Sequence, residues 1–575
     1  MGSPARRRAW AIADNANVLT AKRLRRLGSR ENLQPGPLDR AAARLRRPLD
    51  RSFERRAIAL DAIAELSADV RAHTEASGGA AGAGRPRILV AALRGWSTHN
   101  AYEVLIAHAL RLRGAEVALL TCGGGMPICE LGWARRAHPQ PCDRCAWLTG
   151  SVADVAGYEH FKLSEHMPWG RDPRRAPTEP VGGGTSRLRS ASAINTSWLL
   201  TGTQLDGVPE AREITDDFIV AAEGVQHAAE AIFDDFEPDI VFLLNGLFGA
   251  EHAIRDVATS RGMRAPTYEL APRAGAIVLS QSAAAPDFDV DPLWEAVKDT
   301  PLDDEQRTEV MGLLEDRVRG VGTHESYFEH TEDDRDALRR HLGLDGGERV
   351  ISLFTNVTWD TATLGHDIGF ASMLDWVEQA VRIAGGADLA LVVRIHPAEG
   401  RWGSRDDVQG FVRSQLGAIP PNVRFVSAGE ALSSYAILEM ADLVLTYTTT
   451  VGLEAAVRGK HVAVAGDMHY RGRGFTTDLS GPDDLARVMT GESAPRSAET
   501  AELALRYAHM FFFRAMIPFP AMRARDGKVV RIPRTAAELA TGADPHLDWI
   551  CERIIDGAHF GLPDELAGSR LRVTG

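Results

Sequence analysis

Four of the five cysteines in this 575-residue sequence, Cys122, Cys129, Cys142 and Cys145, crowd into one short window, while Cys551 lies far away. Their spacing is C-x6-C-x12-C-x2-C. Thiolates on glycine-rich backbone followed by a C-x2-C knuckle suit tetrahedral coordination, so the spacing predicts a metal held by these four residues. Zinc is the first choice, because no other feature signals redox or radical chemistry; an iron–sulfur cluster accepts the same ligands. With no open ligand position the site is expected to be a structural staple. Reduced buried cysteines, or a disulfide among them, are the other reading.

A second group of residues could handle a phosphate. His396 follows the apolar run Leu389–Ile395 and precedes Pro397, which restricts the backbone around it. An imidazole there can hydrogen-bond a phosphate or protonate a leaving one, since its ordinary pKa is near neutrality. About fifty residues on, Thr448, Thr449 and Thr450 stand where the strand-like run 443–446 gives way to a helix containing Gly452 and Glu454. Hydroxyls, free backbone N–H groups and the helix dipole then converge on one point, which is expected to take an anion, most simply phosphate. An ordinary threonine helix cap is the alternative. Glu454, one turn inside, can accept from ribose hydroxyls. In the first half His99 and Glu251 follow strand-like runs; each can act as acid or base or steer an acceptor, and each is equally a residue of a helix N-terminus. Trp359, Asp360 and His366 either contact a base or sugar or form a polar loop. The run Arg506–Pro518 either faces a lipid-linked acceptor or is an apolar helix packed in the core.

These residues need a frame that brings strand ends together. Runs of four to seven mostly apolar residues at 87–93, 115–121, 239–245, 266–270, 349–355, 389–395, 422–426, 443–446 and 461–465 read as buried strands, alternating with helical patterns. Strand and helix in alternation imply parallel sheets covered on both faces, and ligands beyond the carboxyl ends of the strands. The fold class expected is α/β, with two Rossmann-like domains facing a crevice, an N-terminal helical extension and C-terminal helices. The expected divisions are a basic helical extension and linker (1–85), a first Rossmann-like acceptor domain with the cysteines (86–280), a helical connector (281–345), a second, nucleotide-donor domain (346–490), and a helical tail (491–575).

Composition bounds the rest. At 44% hydrophobic and 25% charged residues the chain is globular. Its net charge of −13 argues against nucleic acid as a partner. Residues 1–60 nevertheless carry +10, so this arm either lies on an anionic membrane surface or packs on its own acidic body. No apolar run is long enough to cross a membrane and no apolar core follows Arg6, Arg7 and Arg8, so the cytoplasm is the expected compartment.

The run from Arg394 through His396-Pro397, then Ser433-Ser434, Ala441-Asp442, Thr446 to Ala455, Gly459-Lys460, Gly466, Tyr470 and Gly474, resembles the C-terminal half of bacterial capsule polysaccharide biosynthesis proteins. These are similar to retaining Kdo-type transferases, and the His-Pro and Ser/Thr arrangement is shared with sialyltransferases and teichoic acid polymerases of the GT-B fold. The likeness covers about 349–480 well and the first half in outline. It implies a metal-independent glycosyltransferase using a CMP-, UDP- or GDP-linked sugar and a polysaccharide or lipid-linked acceptor. By the same resemblance His396, Thr449, Thr450 and Glu454 hold the donor, with Arg394, Thr448 and Gly452 beside them in the two motifs. Threonine stands where many relatives have serine, which keeps the hydroxyl. A CDP-polyol phosphotransferase and a non-catalytic nucleotide- or metal-binding assembly protein are the alternatives.

Overall fold

The computed structural model describes residues 37–76, 84–132, 142–182, 186–321, 334–344, 347–491, 498–525 and 527–568. The apolar runs become strands: β1 (Arg87–Ala91), β2 (Glu116–Thr121), β3 (Glu159–Lys162), β4 (Ile240–Leu244), β5 (Thr267–Leu270) and β6 (Ala276–Ser280) in the first half. The second half holds β7 (Val350–Phe354), β8 (Ala390–Arg394), β9 (Val423–Val426), β10 (Leu443–Thr446), β11 (His461–Val464) and β12 (Thr477–Asp478). Beyond them come β13 (Ile517–Pro518) and the hairpin of β14 (Arg523–Arg525) and β15 (Lys528–Arg531). All five residues of β4, β7 and β8 are buried, as strands sandwiched between helix layers must be.

The first sheet runs β3-β2-β1-β4-β5-β6-β13 and the second β9-β8-β7-β10-β11-β12. The second is parallel throughout; in the first, β6 and β13 are antiparallel additions. Each sheet is doubly wound, with its strand order reversing beside β1 in one and β7 in the other. Between β1 and β4, and between β7 and β10, the helices leave to opposite faces and a crevice opens at the carboxyl ends. In the second sheet Thr446, Phe354 and Arg394 stand level across β10, β7 and β8. The residues after them therefore emerge side by side, although up to ninety positions apart in sequence.

The described part of the basic arm packs on the body. Helix Pro37–Ala57 lies against helix Cys142–Ala156, where Arg47 pairs with Asp143 and the Arg51 guanidinium sits 5.5 Å over the Trp147 ring. Helix Leu60–Ala76 buries Leu60, Ile63, Leu66 and Val70 in the core beneath β1. Residues 1–36, on which much of the membrane expectation falls, lie outside the described residues.

The tail closes both halves. Helix Ala498–His509 and the wide helical turn Met510–Ala515 bury Tyr507, Met510, Phe511 and Phe512 in the second half's core, so 510–513 take the core reading. The chain then crosses back: β13 joins β6, and helix Pro545–Asp556 buries Leu547, Ile550, Cys551 and Ile554 against the first half. Among the described residues no helix is long and apolar enough to cross a membrane.

Candidate active site

The polar residues after β7, β8 and β10 form one bonded set. The His396 N–H donates to Thr355 Oγ1 at 3.0 Å, and the Thr448 N–H donates to Asn356 Oδ1 at 3.1 Å. Thr355 and Asn356 directly follow β7, so His396 and the threonine turn are tied to the same strand end. His396 caps the short helix Pro397–Trp402, its Nδ1 accepting the Ala398 N–H at 3.2 Å. That contact leaves the ring proton on Nε2. Burial, helped by the Arg394 charge, lowers the His396 pKa to about 4. At neutral pH the ring is therefore a neutral hydrogen-bond donor.

The threonine turn caps its helix weakly and through Thr449 alone. Thr450 occupies the capping position of helix Val451–Val457 but makes no side-chain capping bond. The Thr449 hydroxyl accepts the Val451 N–H at 3.4 Å. Thr448 is 4% exposed, and its Oγ1 has no hydrogen-bond partner. A buried hydroxyl left unpaired is costly unless a ligand supplies the partner. Gly452 serves packing: a Cβ there would meet Tyr470 Oη at 2.1 Å, and that hydroxyl donates to the Thr449 carbonyl at 2.8 Å, bracing the turn from below.

Two residues expected at the donor are occupied elsewhere. Glu454 is fully buried and accepts from Arg317 Nε at 2.9 Å and Tyr435 Oη at 2.8 Å, which anchors helix Asp304–Val318 of the connector and leaves no ribose contact. Arg394 is buried and donates to the carbonyls of Ser427, Glu430 and Leu432, fastening the loop after β9. Charge at a strand end suggested a ligand; burial shows both side chains to be internal braces.

In the first half a buried network lies behind the crevice. Arg94, after β1, donates to Glu130 through Nε at 2.8 Å and Nη2 at 2.6 Å, and pairs with Glu251. Asn195 reaches Glu130 and accepts the Gly249 N–H at 3.1 Å. Glu251 is 1% exposed, so it positions Arg94 and does not reach a substrate, contrary to its expected acid/base role.

His99 fares better. It is 13% exposed, and its Nε2 lies 4.0 Å from Oε1 of Glu269, which is 25% exposed at the end of β5. Asn245 Nδ2 donates to the other Glu269 oxygen at 3.4 Å. Asn245 holds a left-handed backbone, φ 23°, at the end of β4, a strain that recurs at functional sites. Burial raises the Glu269 carboxyl to about 7, with the negative charge of Asp360 on the opposite half adding to it. Glu269 was missed in the sequence; applying the strand-end criterion to β5 finds it.

The two halves meet around this point. Trp198, Trp96 and Phe248 cluster on the first half, and Trp198 meets Trp359 edge-on at 6.1 Å. Trp359 is 4% exposed, so it bridges the halves instead of offering a face to a base. Asp406 accepts from Thr203 N at 2.8 Å, Thr203 Oγ1 at 2.9 Å and Gln204 N at 3.2 Å.

The four cysteines lie behind Arg94. All are free thiols and all line one small cavity. Burial raises the thiols of Cys129, Cys142 and Cys145, and each is raised further by others of the four. Among the described residues no three Cys, His, Asp or Glu side chains are closed on a point that would hold an ion.

Comparison with known proteins adds a family match over part of the chain. No curated protein matches the chain in sequence. Among solved structures, the chain is similar to the Thermosulfurimonas dismutans KpsC beta Kdo 2,7 transferase at 14% identity and TM-score 0.33, over 53% of this chain and 85% of that one. It is similar to a putative UDP-N-acetylglucosamine 2-epimerase from Listeria monocytogenes at 12% identity and TM-score 0.24, over 73% and 90%. It is similar to the glycosyltransferase SnogD from Streptomyces nogalater at 16% identity and TM-score 0.23, over 74% and 94%. The model of the family described as capsule polysaccharide biosynthesis protein matches residues 357–506, the segment that contains His396 and the threonine turn.

Proposed function

We propose that the protein is a GT-B-like glycosyltransferase that moves a sugar from a CMP-, UDP- or GDP-linked donor onto a capsular or other surface polysaccharide, or onto a glycolipid. The observation that carries this reading is the unpartnered Thr448 hydroxyl, buried at the point where the second sheet reverses and within the family-matched segment. A donor phosphate seated there would accept from Thr448 Oγ1, from the Thr450 hydroxyl and from Nε2 of His396. Neutral donors held in a dry site stabilise the charge that gathers on a leaving phosphate, so the chemistry can run without a metal.

The acceptor would lie on the first half, where Glu269 takes the proton of its attacking hydroxyl and His99 and Asn245 orient the carboxylate. A carboxyl with a pKa near 7 is matched to that task. The basic residues ahead of 37 offer charge for an anionic membrane surface, which suits a lipid-linked acceptor.

Donor turnover measured over a panel of CMP-, UDP-, GDP- and CDP-linked compounds tests the reading. One nucleotide class is expected to be turned over, and His396→Ala is expected to abolish turnover while circular dichroism stays unchanged. Wild-type turnover in that variant, or transfer of phosphate together with the donor's organic group, overturns it.

A further inference from the structure

We propose that Cys122, Cys129, Cys142 and Cys145 bind one zinc ion, and that this ion locks the strand end presenting Trp96 and His99 to the crevice. The four thiols come from three separate stretches of chain. Cys122 follows β2; Cys129 sits in a tight turn closed by reciprocal backbone bonds with Gly132, 3.0 and 2.9 Å; Cys142 and Cys145 share the first turn of the 15-residue helix Cys142–Ala156. Random placement of five cysteines in a chain this long would not bring four to one cavity. Gly123 and Gly124, at φ 67° and 85°, take the left-handed backbone that swings the chain from Cys122 towards Cys129.

The surroundings suit thiolates. The Gly95 N–H donates to Cys145 Sγ at 3.1 Å. The helix start places positive potential beside Cys142 and Cys145, and the Arg94 guanidinium lines the same cavity. A tetrathiolate zinc site carries a net charge of −2, which the helix start and the Gly95 N–H would offset in part. The cavity measures about 20 Å³, room for about one water-sized sphere. That space admits a single ion. The thiols stand around the wall with no three closed on one point, and χ1 rotations at Cys122, Cys129 and Cys142, as their protons leave, would draw them towards Cys145.

The site has a mechanical consequence. Arg94 and Gly95 both touch it, and a Cβ on Gly95 would lie 2.9 Å from the Cys145 Cα, so strand end and helix are in direct backbone contact. Glu130, beside Cys129, holds the Arg94 guanidinium. Fixing the cysteines thus fixes the turn that carries Trp96 into the helix Ser97–Leu112, whose first turn holds His99.

The test is elemental analysis of the full chain purified without chelators. One zinc per chain is expected, with no visible absorbance, and a thiol-modifying reagent should release it stoichiometrically to a chromogenic chelator. Cobalt exchanged into the wild-type protein should show the visible bands of a tetrahedral tetrathiolate, a readout that stands even where Cys142→Ser with Cys145→Ser fails to fold. A folded double variant should lose zinc, and amide exchange at residues 94–99 should rise at least about tenfold, the exchange equivalent of a local stability loss of about 1.4 kcal/mol. A protein that neither contains zinc nor takes up cobalt, or that holds iron with sulfide, or whose cysteines are joined in disulfides, overturns the proposal.

Discussion

At the scale of single residues, the buried polar groups divide into those the protein satisfies by itself and those it leaves for something else. Arg394 and Glu454 belong to the first kind, each enclosed by its own partners. Thr448 belongs to the second. Thr448→Val keeps the shape and removes only the hydroxyl, so its expected cost to stability is near zero, since no protein hydrogen bond is lost. A hydrogen bond to a charged phosphate is worth about 1.5–3 kcal/mol, so donor affinity should fall roughly tenfold to a hundredfold. Calorimetric melting and donor titration on the same preparation check both halves; a lowered melting temperature with unchanged affinity would contradict the assignment. Glu269 gives a second prediction. Its carboxyl is raised from 4.5 to about 7, so between those values the native chain holds a proton that the unfolded chain has released. Stability from this group is therefore greatest below pH 4.5 and declines as pH rises towards 7, while a general base becomes competent over the upper part of the same range. Turnover should climb through a limb near pH 7 that Glu269→Gln removes. Glu103, raised by burial to a similar value but enclosed by Asn100 and Tyr268, adds to the slope in stability and not to the limb, so Glu103→Gln should leave the activity profile in place.

At the scale of elements, the site is assembled by strand ends, and these were the most legible feature of the sequence. Runs such as Ile240–Leu244 and Ala390–Arg394 are apolar because both faces of a parallel strand are covered, and a Gly, Asn, His or Thr marks where each leaves the sheet. His396 and Thr448 were found that way. What stayed hidden depends on distant partners: nothing near Glu454 reveals that Arg317, 137 residues earlier, will enclose it. Edge strand β3, Glu159–Lys162, has one buried residue of four and so no apolar run to betray it. The loop contact between the halves was equally invisible. Thr201 holds a left-handed backbone, φ 55°, its carbonyl accepting the Arg405 N–H at 2.7 Å, while Asp406 binds three donors from Thr203 and Gln204. Asp406→Ala leaves those donors unmatched, at a cost of about 1–3 kcal/mol. Hydrogen exchange should then speed up at residues 201–205 and spread to Trp198, which spans the crevice to Trp359. Unchanged exchange there would show that the halves are held by the aromatic contact alone.

At the scale of the whole molecule, the tail makes the two halves dependent on one stretch of chain. Residues 498–515 complete the core of the second half, and residues 517–562 return to complete the first. Leu547, Ile550, Cys551, Ile554, Phe560 and Leu562 are all buried there, in the apolar layer beneath β1 and β4 alongside the arm's Ile58 and Ile63. At roughly 1.5–3 kcal/mol for each fully buried large side chain, their removal takes on the order of 10 kcal/mol, comparable with the entire stability of a typical domain. The loss is an upper bound, because an unfolded tail already buries part of this surface. Truncation after Ala515 should therefore unfold the first half selectively. Protection from amide exchange is expected to vanish across β1, β2, β4 and β5 and to persist across β7, β8 and β10, whose core loses only Met516 from the tail. Donor binding, placed on the second half, should survive in the truncated chain while transfer to an acceptor is lost. Global loss of protection in both sheets would instead mean that the halves fold as one unit, with the contacts of Asp406 and Trp359 across the crevice carrying as much stability as either core.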